Sequence, residues 1–191
     1  MTRIFADNNE CKFDMVVLKR ITHAEDSALN QLFSLYTEAF LPAERRDMEQ
    51  LKYLIEKQSN MYFNAIEEDG ELCGLFVYWD FDSFRYLEHF AIFPEKRNRK
   101  IGEQVLDYVA LHLKGARILE VEPAVNEITT QRINYYRRNG YEILERDYIQ
   151  PPYSQDSKES IPLWIMGNSE AAQSHLLKEY IQTIKREVYR K

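Results

Sequence analysis

Residues 84–121 restrict the fold of this chain more than any other stretch. FRYLEHFAIF (84–93) has the aromatic and β-branched make-up of a buried strand and stops at Pro94. Residues 101–113 place Ile101, Val105, Val109 and Leu113 in one helical row, and ARILEVE (116–122) is a second strand of the buried type. A helix that joins two such strands makes a right-handed crossover between parallel neighbours. Between the first strand and the helix stands KRNRKIG (96–102), four cations in five positions in a chain whose formal net charge is −6. A helix start presents unpaired N–H groups and partial positive charge, so the run reads either as a solvated charged loop, the commoner case, or as an anion site, with Gly102 allowing close approach to the backbone. It is neither a P-loop nor a Rossmann turn, since GxxxxGK[ST] and GxGxxG are both absent.

The flanking segments fill in the order. VVLKRI (16–21) is a strand; Thr22 with Glu25 reads as a capping box opening a helix with the stripe Leu29, Leu32, Phe33, Tyr36 and Phe40. Pro42 ends it, and AERRDMEQLKYLIEKQ (43–58) is a second, more polar helix. MYFNAIEE and ELCGLFVYW flank Asp69-Gly70, a two-residue hairpin signal. EITTQRINYYRRNG is a helix closed by Gly140, YEILERDYI and IPLWIM are late strands, and a helix from Glu170 carries Leu177, Ile181, Ile184 and Val188. The result is an α/β fold with a mixed sheet, ordered βαα-βββ-αβ-αββ-α.

Composition narrows the class. With 191 residues, 45% hydrophobic and 29% charged, the chain suits one compact domain. The acidic balance and a single basic run without interleaved aromatics argue against nucleic acid. Cys11 and Cys73 form neither a CxxC nor a Cys/His cluster, so no metal is expected, and no run is long enough to cross a membrane. A cytoplasmic location is the expectation. Residues 1–14 read as a loose extension with Met15 an alternative start, 15–167 as the domain, and 168–191 as a C-terminal amphipathic helix.

FAIFPEKRNRKIGEQVL resembles the acetyl-CoA-binding segment of the GNAT N-acetyltransferase superfamily, whose signature is R/Q-x-x-G-x-G/A. Arg97 fills its first position and Gly102 its last, while Lys100 replaces the middle glycine. ILEVE followed by INYYRRNGYEI resembles the family's fifth strand and the FYxxxGF end of its fourth helix. FLPAERR resembles the segment between its first two helices, and IPLWIM its final strand; together the likeness spans roughly residues 16–166. It implies a GNAT fold with splayed parallel strands 4 and 5, and acetyl-CoA as co-substrate. The pyrophosphate would lie on Arg97, Asn98, Arg99, Lys100, Ile101 and Gly102, and a backbone N–H among Phe90, Ala91 and Ile92 would serve the oxyanion.

Acetyl transfer to an amine needs a neutral nucleophile, yet an aliphatic ammonium of pKa about 10 is only about 0.1% neutral at pH 7. Glu88 is the candidate base by resemblance, with His89 its competitor. Adjacent strand positions face opposite ways, so one of the two is expected to point inward unless a bulge intervenes. Tyr136 is expected near the leaving sulfur. Glu44, Arg45, Arg46 and Tyr153 are candidates for acceptor contacts, the acceptor being a small-molecule or peptide amine. Two other readings stay open: an acyl-CoA-binding module without catalysis, and an interaction protein assembling, for instance as a homodimer, through its final helix.

Overall fold

The structure is a computed structural model in which residues 16–153 and 159–189 are described. The expected N-terminal extension (1–14), with Cys11, and the alternative start Met15 lie outside them. One seven-stranded sheet runs in the order β1-β2-β3-β4-β5-β7-β6. Its strands are β1 Val16–Ile21, β2 Met61–Glu68, β3 Glu71–Asp80, β4 Phe84–Ile92, β5 Ala116–Val121, β6 Glu142–Gln150 and β7 Ile161–Gly167. Only β4 and β5 are parallel, joined through helix α3 (Ile101–His112) as the 84–121 pattern requires. Asp69 and Gly70 both take positive φ (52° and 79°), the geometry a two-residue hairpin demands.

Helices cover both faces. On one lie α1 (Leu29–Ala39), α2 (Met48–Lys57) and α6 (Leu177–Glu187), which bury Leu32, Tyr36, Leu51, Leu54 and Ile184 against Phe63, Val77 and Trp79. On the other, α3 and α4 (Glu127–Arg138) bury Ile101, Val105, Val109 and Ile133 against Phe76, Leu119 and Met166. No helix among the described residues is long and apolar enough to cross a membrane.

Three expectations are corrected. The first helix begins at Leu29 rather than at a Thr22–Glu25 box; Asp26 instead accepts from the Ala28 N–H at 2.9 Å. The second begins only at Met48, capped by Asp47, because Pro42–Glu44 form a 3-10 turn and Arg45 is extended. The C-terminal stretch is two helices, α5 (Ser169–Ala172) and α6, with Ile184 and Val188 fully buried in the protein's own core. The face proposed as a dimer seam is therefore already occupied within the chain.

Candidate active site

The parallel pairing of β4 with β5 lasts only from Phe84↔Ala116 to Leu87↔Leu119, although β4 continues to Ile92 and β5 to Val121. Beyond that register the strands part, and Glu88 and Glu120 are the first residue on each limb of the fork. A cleft of about 870 Å³ passes through the opening, from Glu38, Phe40 and Glu44 on one face to the start of α3 and the inner side of α4 on the other.

At the fork β4 carries a bulge: Val77 pairs with His89 and Tyr78 with Leu87, leaving Glu88 without a partner on β3. The extra residue interrupts alternation. Glu88 and His89 consequently both turn to the α1–α2 face, correcting the expectation that one alone would. His89 sits between the rings of Tyr36 and Phe40, its Nε2 donating to the Glu44 carbonyl at 2.9 Å. Burial pushes its pKa down, so it is a neutral, packed imidazole at physiological pH.

The Glu88 side chain has no solvent exposure and forms an ion pair with Arg46, whose side chain is equally buried. Oε1 also accepts from Tyr153 Oη at 3.0 Å, and Oε2 accepts from Trp79 Nε1 at 2.7 Å. Burial by itself would raise this carboxyl, but the Arg46 guanidinium and the donated hydrogen bonds outweigh it and hold the pKa below the usual range. Glu88 is thus a carboxylate with both oxygens engaged and a cation alongside. That environment suits a structural anion better than a group that must pick up a proton. Arg46 reaches it because the backbone between the 3-10 turn and α2 is extended; its guanidinium lies 4.5 Å from the Tyr153 ring centroid. Tyr153, expected to meet the acceptor, is buried in this network instead, and Arg45 turns to the Phe40 carbonyl at 3.1 Å. Of the four acceptor candidates, Glu44, Arg45, Arg46 and Tyr153, Glu44 alone lines the cleft.

Glu120, across the fork on β5, is in the opposite state. It lines the cleft; Oε2 accepts from Tyr189 Oη at 2.6 Å, while Oε1 has no partner among the described residues. Burial pushes its pKa up to about 7, with the nearby Glu88 charge acting in the same direction and phenol hydrogen bonds opposing. Two carboxylates whose surroundings drive their proton affinities apart are the usual arrangement for acid–base work. Sequence reasoning passed over Glu120 because an acidic residue inside ARILEVE gives no sign of the fork that opens beside it.

The cationic end of the cleft is built at the start of α3. Phe90, Ala91, Ile92, Arg97, Asn98, Lys100, Ile101 and Gly102 all line it. Arg99 does not; it pairs with Glu68 at 2.6 Å, and Lys96 pairs with Glu71, so two of the four cations tie the loop to the β2–β3 hairpin. Arg97 and Lys100 remain for an anion. Lys100 is the N-cap of α3 in the left-handed region (φ 62°, ψ 9°) with no side-chain cap, which leaves the first N–H groups of the helix free of side-chain acceptors. A residue with a Cβ adopts this conformation at a cost of roughly 1–2 kcal/mol, which explains why glycine suits the position. Lys100→Gly is therefore expected to stabilise the protein by roughly 0.5–1 kcal/mol after the entropy cost of glycine, raising Tm by about 1–4 °C. A melt that falls instead would show that the lysine side chain is stabilising here.

At Gly102 a Cβ would come within 2.7 Å of Tyr135 Oη. The glycine thus makes room for α4, and Tyr135 places beside the helix start a hydroxyl that has no hydrogen-bond partner among the described residues. Tyr136 lines the cleft as well, and burial pushes its phenol up to about 12. Against a thiol near 8.5 it holds its proton, so it is suited to donate a hydrogen bond rather than to transfer the proton.

Comparison with known proteins agrees with this architecture. The family model of the acetyltransferase (GNAT) family matches residues 29–141. No curated protein sequence matches the chain. Among solved structures, one from Bacteroides thetaiotaomicron assigned to the GNAT acetyltransferase family is 32% identical, covering 91% of this chain and 98% of its own, with a TM-score of 0.83. A GNAT family acetyltransferase from Elizabethkingia anophelis with acetyl-CoA bound shares the fold at 13% identity, over 81% of this chain and 98% of its own (TM-score 0.55). Arabidopsis thaliana Naa50 in complex with the bisubstrate analogue CoA-Ac-MVNAL does so at 16% identity, over 81% and 98% (TM-score 0.51). With a matching family model over more than half its length and a close structural relative, the chain belongs to the GNAT family of acetyltransferases.

Proposed function

We propose that the protein transfers an acetyl group from acetyl-CoA to a primary amine of a small molecule or peptide, by direct attack in a ternary complex. The observation that carries this reading is the fork between β4 and β5, with a cationic helix start at one end of its cleft and a carboxyl group of near-neutral pKa inside it. Relatives support the co-substrate: one GNAT structure holds acetyl-CoA, and another a CoA–peptide analogue.

In this reading Arg97, Lys100 and the α3 N-terminus bind the pyrophosphate, and the exposed edge of β4 from Phe90 to Ile92 offers a backbone N–H to the thioester oxygen. Glu120 removes the proton from the incoming ammonium. The nitrogen lone pair then attacks the carbonyl carbon; the C–N bond forms, the C–S bond breaks, the nitrogen gives up its second proton to the departing sulfur, and CoA leaves as the free thiol past the hydrogen-bonding Tyr136 hydroxyl. Glu88, the base suggested by the family resemblance, instead fixes the Arg46–Trp79–Tyr153 network beneath the fork. Glu44 stands at the acceptor side of the same cleft.

Acetyl-CoA at a hundredfold excess over Kd is expected to stabilise the native state by about 2.7 kcal/mol, raising Tm by roughly 5–10 °C. Adenosine, without the pyrophosphate, is expected to do far less. Release of free thiol across a panel of amines, with acetyl-CoA held constant, then tests transfer. An unchanged melt would remove the basis for acetyl-CoA binding. A shifted melt without thiol release for any amine would leave a binding module.

A further inference from the structure

The last described residues return to the fork. Helix α6 crosses the α1–α2 face with Tyr180 and Ile184 in the core, and the two residues after it, Val188 and Tyr189, are almost wholly buried. The Val188 carbonyl accepts from Arg46 Nη2 at 2.8 Å, so the tail holds the guanidinium that pairs with Glu88. Tyr189 packs its ring 4.8 Å from that of Tyr153 and donates its hydroxyl to Glu120 Oε2 at 2.6 Å. Its oxygen lies 2.9 Å from Tyr86 Oη. Since the single Tyr189 proton is directed to the carboxylate, Tyr86 is the donor in that second bond, and the order is Tyr86 to Tyr189 to Glu120.

We propose that Tyr189 is a positioning residue of the acyl-transfer reaction, orienting Glu120 in the fork and stabilising its ionised form, so that the C-terminal tail is a working part of the active site. The inference rests on Glu120 as the proton acceptor. A short O–H···O⁻ bond favours the charged carboxylate, against burial, which disfavours it. The hydroxyl occupies Oε2 and leaves Oε1, itself buried at the wall of the cleft, as the oxygen without a partner among the described residues. The other groups facing Glu120 are Tyr86 and Glu88 on β4, Tyr148 on β6 and Tyr153 after it. Tyr136 and Arg132 of α4 line the same cleft, with Arg132 paired to Glu122 and Arg46 paired to Glu88. Tyr189 makes the short contact to Oε2, while the Tyr148 and Tyr86 phenols nearby also hold the carboxyl down.

Tyr189→Phe keeps the ring and removes the donor. The ¹³C signal of the Glu120 carboxyl, assigned by its loss in Glu120→Gln, is expected to titrate about one to two pH units higher in Tyr189→Phe. With acetyl-CoA and the best amine of the panel, the acidic limb of kcat/KM is expected to move up by the same amount, so that activity falls about tenfold or more at pH 7 and recovers at pH 9. Tyr86→Phe, one bond further away, is expected to give a smaller shift of the same sign. A uniform loss at every pH with the limb and titration in place would reduce Tyr189 to a packing residue and overturn the proposal, leaving Glu120 as base. If Glu120→Gln itself keeps the wild-type limb, the base assignment falls and the proposal falls with it.

Discussion

Glu120→Gln is expected to lower kcat/KM at pH 7 by a factor of roughly 10² to 10⁴, the range for loss of a general base, while raising the stability of the protein at pH 8. The two effects share one cause. The carboxyl is raised from 4.5 to about 7 by burial. Between those values the unfolded chain ionises while the folded one keeps its proton, so stability from this group is present at low pH and lost as pH rises through 7. At about 1.4 kcal/mol per unit, the cost of the buried charge above pH 7 approaches about 3 kcal/mol, and glutamine avoids it. A gain of about 1–3 kcal/mol at pH 8, absent at pH 4, is the expected melt. The rate is also expected to lose its inflection near pH 7 and to climb toward the acceptor's own pKa as neutral amine accumulates. A mutant that keeps the inflection, or is less stable at pH 8, would contradict both halves.

Arg46→Met is expected to cost about 3–5 kcal/mol, the scale for leaving a buried charge unpaired, and to drop Tm by roughly 6–20 °C. The Trp79 and Tyr153 hydrogen bonds would remain on Glu88, but the cation that keeps it ionised in the core would be gone. The pH dependence is expected to change sign. In the wild type the Glu88 carboxyl is depressed, so its contribution is present above the unfolded value and lost as pH falls. In Arg46→Met the desolvated carboxyl would be raised, so the variant gains stability relative to wild type on acidification. Adding Glu88→Gln is expected to restore most of the loss at neutral pH, because it removes the unpaired charge. Thermal melts of the three variants between pH 4 and 8 check this; equal destabilisation of single and double mutants would show that the pair is not coupled.

What was legible in the sequence was local. The Asp69-Gly70 turn, the Gly140 cap (φ 83°), the row Ile101–Val105–Val109 on α3 and the strand–helix–strand order of 84–121 each follow from residues a few positions apart. Backbone sterics and helical or extended periodicity act at that range. The turn before α3, with Arg97 and Gly102, belongs with them, since a loop and a helix start are contiguous in the chain. The rest of the site was decided by tertiary structure. Alternation failed at Glu88 and His89 because a bulge depends on the register with β3, which no property of the β4 residues alone encodes. Arg99 and Lys96 looked free for a ligand until the hairpin supplied Glu68 and Glu71. Arg46 meets Glu88 across 42 residues and Tyr189 meets Glu120 across 69, pairings that exist only once α1, α2 and α6 have packed on their face of the sheet. A carboxylate's proton affinity is set by what desolvates it and what donates to it. Those neighbours are assembled by packing rather than by adjacency in the chain, so the sequence determined the fold and the cationic turn that opens α3, and the tertiary structure decided which carboxylate at the fork stays charged and which holds its proton near neutral pH.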